Sequence, residues 1–439
     1  MIGIFWQTLH FIPLFTVIIS LKKCYNYYMA KLKKSFTFTL FLAFLLLVCV
    51  NAAAERFEFR HVPGAQYRII SVVDEVVLVN GVFVHRAEIL NRIAVEVTNV
   101  EDGAGEHKAT FQTSERLLYD PIVGMQTGVA GYQWSREYET IFLRDKLGNL
   151  TIAPQYYMPV VRNVPTFPDR ELQIGDRWNA PAHEVHDFRD AFGIEEPYRI
   201  PFNAFYEYLG ERQWKEKTYP AFSVNYNVDT RPQPVRGRLY PVRITGTFNQ
   251  LVYWDRTLGK EAAYEEEFRI TFHMSDGRII EYRGTAYAEL IDAEYMDKEQ
   301  LVAEIIDQIN SLGLTDVNVS AVDEGISLSL DDIRFYPDSN RMLPGEQEKL
   351  DLIAEILLRY PDRDILVSGH AALAGSRDYL MRLSQDRARA VADYLLSRNV
   401  RTADRIVTRG YGAERPVADN STEEGMRRNR RVEITILEN

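Results

Sequence analysis

The chain has 439 residues and a formal charge of −11, long enough for two or three domains that each bury a core. An acidic excess on this scale excludes nonspecific nucleic-acid binding, which needs a cationic surface. Both cysteines, Cys24 and Cys49, fall in the first 54 residues, so the remainder has neither disulfide nor thiol nucleophile and must be held by packing.

The first predicted element is a leader. Residues 31–34 (KLKK) carry three lysines, Phe36–Val50 is almost wholly apolar, and Ala52-Ala53-Ala54 offers small residues at a cleavage point. That is the layout of a secretory signal over 29–54, starting at Met29. The apolar run of about 15 residues is shorter than the roughly 20 that span a bilayer, so cleavage is expected over permanent anchoring. Residues 1–28 read as an extra apolar stretch before the true start. Val48 is a poor residue before a lipidated cysteine, so Cys49 is not expected to carry a lipid. Without the five lysines of residues 1–54 the chain keeps 46 basic and 62 acidic side chains, a formal charge of −16.

Residues 55–297 are rich in Val, Ile, Tyr and Phe in short alternating runs, the mark of antiparallel strands. Turn signals punctuate them: Asn80-Gly81, Leu147-Gly148-Asn149 and Asp276-Gly277, each tolerant of positive φ between flanking strands. We expect a sandwich- or barrel-like β-rich region, with Thr230–Pro241 (TRPQPVRGRLYP) either dividing it or forming a long loop. Charges on both faces of FYEYLGERQWKEK and YEEEFRI argue against a lipid-facing barrel. The aromatics Tyr132, Trp134, Tyr138, Phe202, Phe205, Tyr206 and Tyr208 read as β-core before they read as a cleft lining. His183-Glu184-Val185-His186-Asp187 spaces its histidines by three rather than the four of a zinc-protease helix, and reads as a solvated acidic loop.

At Asp297 the apolar period changes from two to 3.6. Leu301, Val302, Ile305, Ile306, Ile309 and Leu312 share one helical face, with Asp297 as the cap and Gly313 as the stop. Two strands follow, then a helix from Pro344 to Tyr360-Pro361, a strand ILVSG, a long helix over about Ser376–Arg398, and strands IVTRG and VEITILE. The order β-β-α-β-α-β-β predicts a mixed sheet with helices on one face, making the whole chain α+β.

The blocks SLDDIRFYPDSNRM, ILVSGH, GSRDYLMRLSQDRARAVADYL, RIVTRGYGAERPVADN and NRRVEITI resemble, in order, those of the OmpA-like (OmpA/MotB) C-terminal domain family, placed here at 298–439. The resemblance implies an α/β sandwich that holds the diaminopimelate side chain of peptidoglycan, a zwitterion needing one anionic and one cationic partner. It assigns the cationic partner to Arg387, whose planar fork suits a carboxylate, and places Arg430 near the ligand. The family's Thr-Asp falls on Ala371-Ala372 and its helix asparagine on Leu380, so these ligand positions are lost. Asp378 is the nearest substitute acid in sequence, while His370 occupies an aromatic position suited to packing.

The expected protein is therefore a non-enzymatic envelope component in the periplasm, bound to peptidoglycan and associated with envelope proteins or the outer membrane. No catalytic residue, metal site or cofactor is expected. The alternative is a C-terminal domain that has lost peptidoglycan and acts as a scaffold, while the β-rich region binds a lipid, glycan or protein.

Overall fold

Asn80 and Gly81 both adopt positive φ, at 51° and 79°, as a two-residue hairpin turn requires. They join β1 (Gln66–Val79) to β2 (Val82–Glu101). Asp102 and Gly103 repeat the device, at 50° and 79°, before β3 (Ala104–Tyr119). In this computed structural model the described residues are 54–119, 131–234, 238–291, 296–314, 317–322, 324–330, 333, 335, 336 and 339–438. The expected leader, save Ala54, lies outside them.

The β-rich region continues with β4 (Tyr132–Arg144), β5 (Leu150–Ile152), β6 (Val161–Arg162), β7 (Arg177–His186), a single helical turn α1 (Arg189–Phe192), β8 (Tyr198–Trp214), β9 (Lys217–Thr230), β10 (Pro241–Asp255), β11 (Lys260–Met274) and β12 (Ile279–Ile291). Each of the strands from β7 to β12 pairs antiparallel with the next. β12 then pairs with β1, and the ladder runs on through β2 and β3 to β4. β9 and β10 are direct neighbours, so Thr230–Pro241 connects two adjacent strands of one sheet.

The sheet curls until its ends meet. Arg136 and Tyr138 of β4 reach Asp187, just past β7, at 2.6 and 2.9 Å. The concave face is filled by Phe202, Tyr206, Val224, Tyr226, Ile244, Phe248, Val252 and Phe272. Outward positions carry Asn225, Asn227 and Asp229 on β9 and Glu265, Glu267 and Arg269 on β11, all exposed. A lipid-facing barrel wears an apolar band there; this one wears charge.

One end of the curl is stoppered by the segment before β1. Phe57 packs edge-on against Tyr208 and Phe222, with centroids 5.1 and 4.8 Å away. Phe59 meets Trp254 in the same way at 4.9 Å. Main-chain bonds from Phe59 to Lys146 and from Arg60 to Gly259, at 2.8 and 3.0 Å, fix the segment across the opening.

The C-terminal region comprises α2 (Lys298–Ser311), β13 (Val317–Val322), β14 (Gly325–Leu330), α3 (Glu346–Leu357), β15 (Ile365–Gly369), α4 (Arg377–Ser397), β16 (Ile406–Gly410), α5 (Glu423–Asn429) and β17 (Val432–Leu437). Asp297 caps α2 by accepting from the Gln300 amide at 3.0 Å, and Ser376 caps α4. The sheet order is β13-β14-β17-β15-β16, antiparallel except for β15 against β16. The helices bury Ile305, Ile309, Leu350, Ile353, Val391 and Leu395 against one face.

The other face of this sheet is not left to solvent. Leu366, Val407 and Leu437 pack on Leu90, Tyr132 and Trp134, flanked by Ile70 and Val72, from the convex side of the β-rich sheet. β4 runs parallel beside β16, pairing Tyr132 with Val407 and Gln133 with Thr408, so the 17 strands among the described residues form one hydrogen-bonded network. Charge pairs ring this apolar contact. Arg92 meets Asp364, Arg68 meets Glu438 at 3.3 Å, and Arg409 lies over the Trp134 ring at 4.7 Å. Each fully buried large apolar side chain adds about 1.5–3 kcal/mol, which makes the junction a second core.

Candidate ligand site in the C-terminal region

The site is built where two strands end under one helix. Gly369 and Gly410 close β15 and β16, and α4 lies directly on them. A Cβ on Gly369 would sit 2.0 Å from the Ser384 carbonyl oxygen, and one on Gly410 would sit 2.5 Å from the Gln385 nitrogen. Only glycine permits that approach. Ser384, fully buried, then ties helix to loop: its hydroxyl donates to the Met381 carbonyl at 2.9 Å and accepts from the Gly412 amide at 2.8 Å.

Beyond the glycines the loops are apolar. Ala371, Ala372 and Leu380 are 5, 4 and 4 % exposed, and the Ala371 amide donates to the Gly412 carbonyl at 2.8 Å. No carboxylate can project from these positions. Leu373, 65 % exposed, extends the apolar surface outward. Asp378, on the first turn of α4, is exposed.

Arg387 is 8 % exposed. Its Nε donates to the Ser339 carbonyl at 3.1 Å and its guanidinium carbon lies 5.0 Å from the Phe335 ring centroid. Stacking and the hydrogen bond fix the plane of the fork. Arg430 stands at the end of α5 with its side chain exposed. No hydrogen bond or ring contact joins it to Arg387 among the described residues.

His370 is 2 % exposed and stacks on Tyr411 at 5.1 Å. Burial lowers its pKa and the nearby Glu433 opposes that shift; the ring is a packing element at neutral pH. Burial works against the Glu433 charge, but its contacts with His370 and Arg431 outweigh it and hold the carboxyl at about 2. Arg431 provides the fixed cation, donating from Nε to Glu433 at 2.7 Å.

Sequence reading missed the clamp that orders these loops. Asn429 is fully buried. Its Oδ1 accepts from the Val417 and Ala418 amides at 2.8 and 3.0 Å, and its Nδ2 donates to the Ala418 carbonyl and to Asn420. Asn420 in turn accepts from the Leu373 amide at 3.0 Å. The only local hint is the affinity of asparagine for turn-forming backbone.

The segment His183–Asp187 is not a solvated loop, as its charge suggested. As far as His186 it forms the end of β7, with His183 and Glu184 8 and 2 % exposed. Strand alternation sends the two to opposite faces. Glu184 accepts from Tyr226 at 3.1 Å, while His183 lies 3.2 Å from Arg199. Among the described residues, no group of three or more His, Cys, Asp or Glu is placed to hold a metal ion.

Comparison with known proteins places residues 334–430 in the OmpA family. The chain is 37% identical over 143 residues to the probable lipoprotein YiaD of Escherichia coli, covering 32% of this chain and 63% of that protein. It is 39% identical over 104 residues to the peptidoglycan-binding protein ArfA of Mycobacterium tuberculosis, covering 24% of this chain and 32% of that protein. It is 41% identical over 107 residues to the peptidoglycan-associated lipoprotein of Brucella melitensis, covering 24% and 62%. The chain thus spans less than two thirds of each of these relatives.

Proposed function

We propose, from the premise that the chain carries an OmpA-family domain over residues 334–430, that it is a non-enzymatic cell-envelope protein holding peptidoglycan through a weakened site. The leader at 29–54 would export it, and the β-rich region over 55–297 would face the envelope partner. The observation that carries the reading is Arg387: a nearly buried guanidinium, oriented by Phe335 and the Ser339 carbonyl, in a domain whose named relatives bind or associate with peptidoglycan.

The site binds weakly because its anionic half is absent. A charge-assisted hydrogen bond to the ligand ammonium is worth about 1.5–3 kcal/mol, a loss of about 10- to 150-fold in affinity. Arg430, exposed at the end of α5, supplies a second cation for the stem-peptide carboxylates. The apolar Ala371, Ala372 and Leu380 support a second reading, in which the domain has abandoned the wall and serves as the scaffold on which the β-rich sheet is docked.

Titration of the full chain with a diaminopimelate-containing muropeptide separates the two. Saturable micromolar binding that is lost in Arg387→Lys, which keeps charge but not the fork, supports wall binding. No binding by the parent chain, restored by Ala372→Asp, supports the scaffold reading.

A further inference from the structure

The stoppered end of the β-rich region holds an open cavity of about 120 Å³. Its walls come from the stopper (Phe59, His61), from β1 (Tyr67), β3 (His107), β4 (Arg144) and β11 (Lys260). Four of these side chains are nitrogen donors. We propose that this cavity is a binding site for a small oxoanion, a tetrahedral anion or a carboxylate group, held by Arg144 and Lys260 and hydrogen-bonded by His61 and His107.

Among the described residues, buried nitrogens on the walls of this cavity lack hydrogen-bond partners. His107 is 2 % exposed, and its Nδ1 has no hydrogen-bond partner among the described residues; the same holds for His61 Nε2 and Arg144 Nε. Buried polar atoms are normally paired because desolvating them unpaired is unfavourable. Three unpaired nitrogens on residues lining one cavity suit a ligand with several lone pairs, which an oxoanion supplies to Arg144 and, once they are protonated, to the two imidazoles.

The rings and cations are held in place by packing. His61 lies edge-on to His107 at 5.0 Å, and His107 stacks on Phe142 at 4.9 Å. Gly105 lets His61 lie flat on β3: a Cβ there would be 2.5 Å from the His61 ring. The Arg144 guanidinium covers Phe59 at 4.6 Å and Lys260 Nζ covers Tyr67 at 3.9 Å.

The balance of charge favours an anion. Glu261, 3.7 Å from Arg144, is the near carboxylate, and Glu289, at the rim, is drawn away by Lys215. The Asp145 backbone bonds the His61 ring, and Tyr67 adds a neutral hydroxyl. Burial first, and then Arg144, lowers the pKa of both histidines, that of His107 to about 3. Both rings are neutral in the empty cavity, and an arriving anion favours their protonated forms. Binding that protonates His61 should therefore tighten as pH falls.

The test is isothermal titration of the full chain with sulfate and, separately, acetate. Both keep their charge between about pH 6 and about pH 8, so any pH dependence belongs to the protein. Arg144→Gln and Lys260→Gln serve as variants, with folding checked by circular dichroism. We expect one-site binding of at least one anion, tighter at the lower pH, and weakened about tenfold or more in each folded variant. Preference for sulfate assigns a tetrahedral ligand; preference for acetate assigns a carboxylate. Absence of saturable binding of either anion up to about 10 mM, or undiminished binding in a folded variant, overturns the proposal. Should Arg144→Gln unfold, Lys260→Gln decides.

Discussion

Asp364 is the most consequential single side chain at the junction. It is 8 % exposed and accepts from Arg92 of β2 and from Arg405 Nε at 2.8 Å. Asp364→Asn preserves its shape and removes its charge. The Arg405 side chain, 31 % exposed, can turn to water, whereas that of Arg92, 9 % exposed, cannot. Leaving one buried cation without its carboxylate costs about 3–5 kcal/mol. Because Arg405 is relieved, the lower end applies, about 3 kcal/mol. In urea, at a slope of about 3 kcal/mol/M, the midpoint should fall by about 1 M with the slope unchanged. The double replacement Arg92→Met/Asp364→Leu removes both desolvation costs and should recover most of the loss. A single variant within about 0.5 kcal/mol of the parent, or a double variant no better than the single, would refute the reasoning.

Burial, reinforced by Glu184 and opposed by a bond from Gln250, raises the Glu266 carboxyl from 4.5 to about 7. The folded state then holds a proton the unfolded chain has released, so this stability is present below about 4.5 and lost as pH rises through 7. Glu266→Gln should therefore be more stable than the parent at about pH 8 and lose less stability between acid and neutral pH, read by urea melts; an unchanged slope would place the titration elsewhere. Phe57→Ala, which empties the centre of the stopper, should cost about 3–5 kcal/mol and reduce the near-ultraviolet aromatic signal. Asn429→Ala removes the acceptor of the Val417 and Ala418 amides and should cost about 2 kcal/mol. The faster hydrogen exchange it predicts at Val417 and Ala418 is a direct check, and unchanged protection there would contradict the clamp.

Local chemistry was legible where one residue decides the backbone. Asn80-Gly81 and Asp276-Gly277 turn where expected because few other residues accept positive φ, and Asp297 and Ser376 cap the helices they precede. The apolar face starting at Leu301 becomes α2 because its period fits no strand. By contrast, α5 (Glu423–Asn429) has no apolar stripe to announce it, and its buried Gly425 and Asn429 supply the packing. Phe57-Glu58-Phe59 alternates as a strand does, yet serves as a stopper, since alternation encodes which side is apolar but not what covers it. Tyr132 and Trp134 proved core residues of the junction rather than of the β-rich interior, while Phe205 is 56 % exposed. At the candidate site, the family pattern pointed to Arg387, Ala371, Ala372 and Leu380 as positions to inspect, and Arg387's partners Phe335 and Ser339 came only with the fold. Contacts between distant segments carry no local periodicity, so the junction and the cavity were invisible in sequence.

The seam between β4 and β16 also imposes an order of assembly. Its hydrogen bond from Thr408 to the Tyr132 carbonyl spans 276 positions of chain, and contacts of such separation form late because a long loop must close first. The N-terminal region leaves the ribosome first. Its β4 can then stand as a ready template, with a short main-chain row at Tyr132 and Gln133 waiting for β16. Until β16 arrives, that row is an open edge of the kind that captures other chains. Truncations that remove the C-terminal region should therefore yield not a smaller tidy protein but an adhesive one.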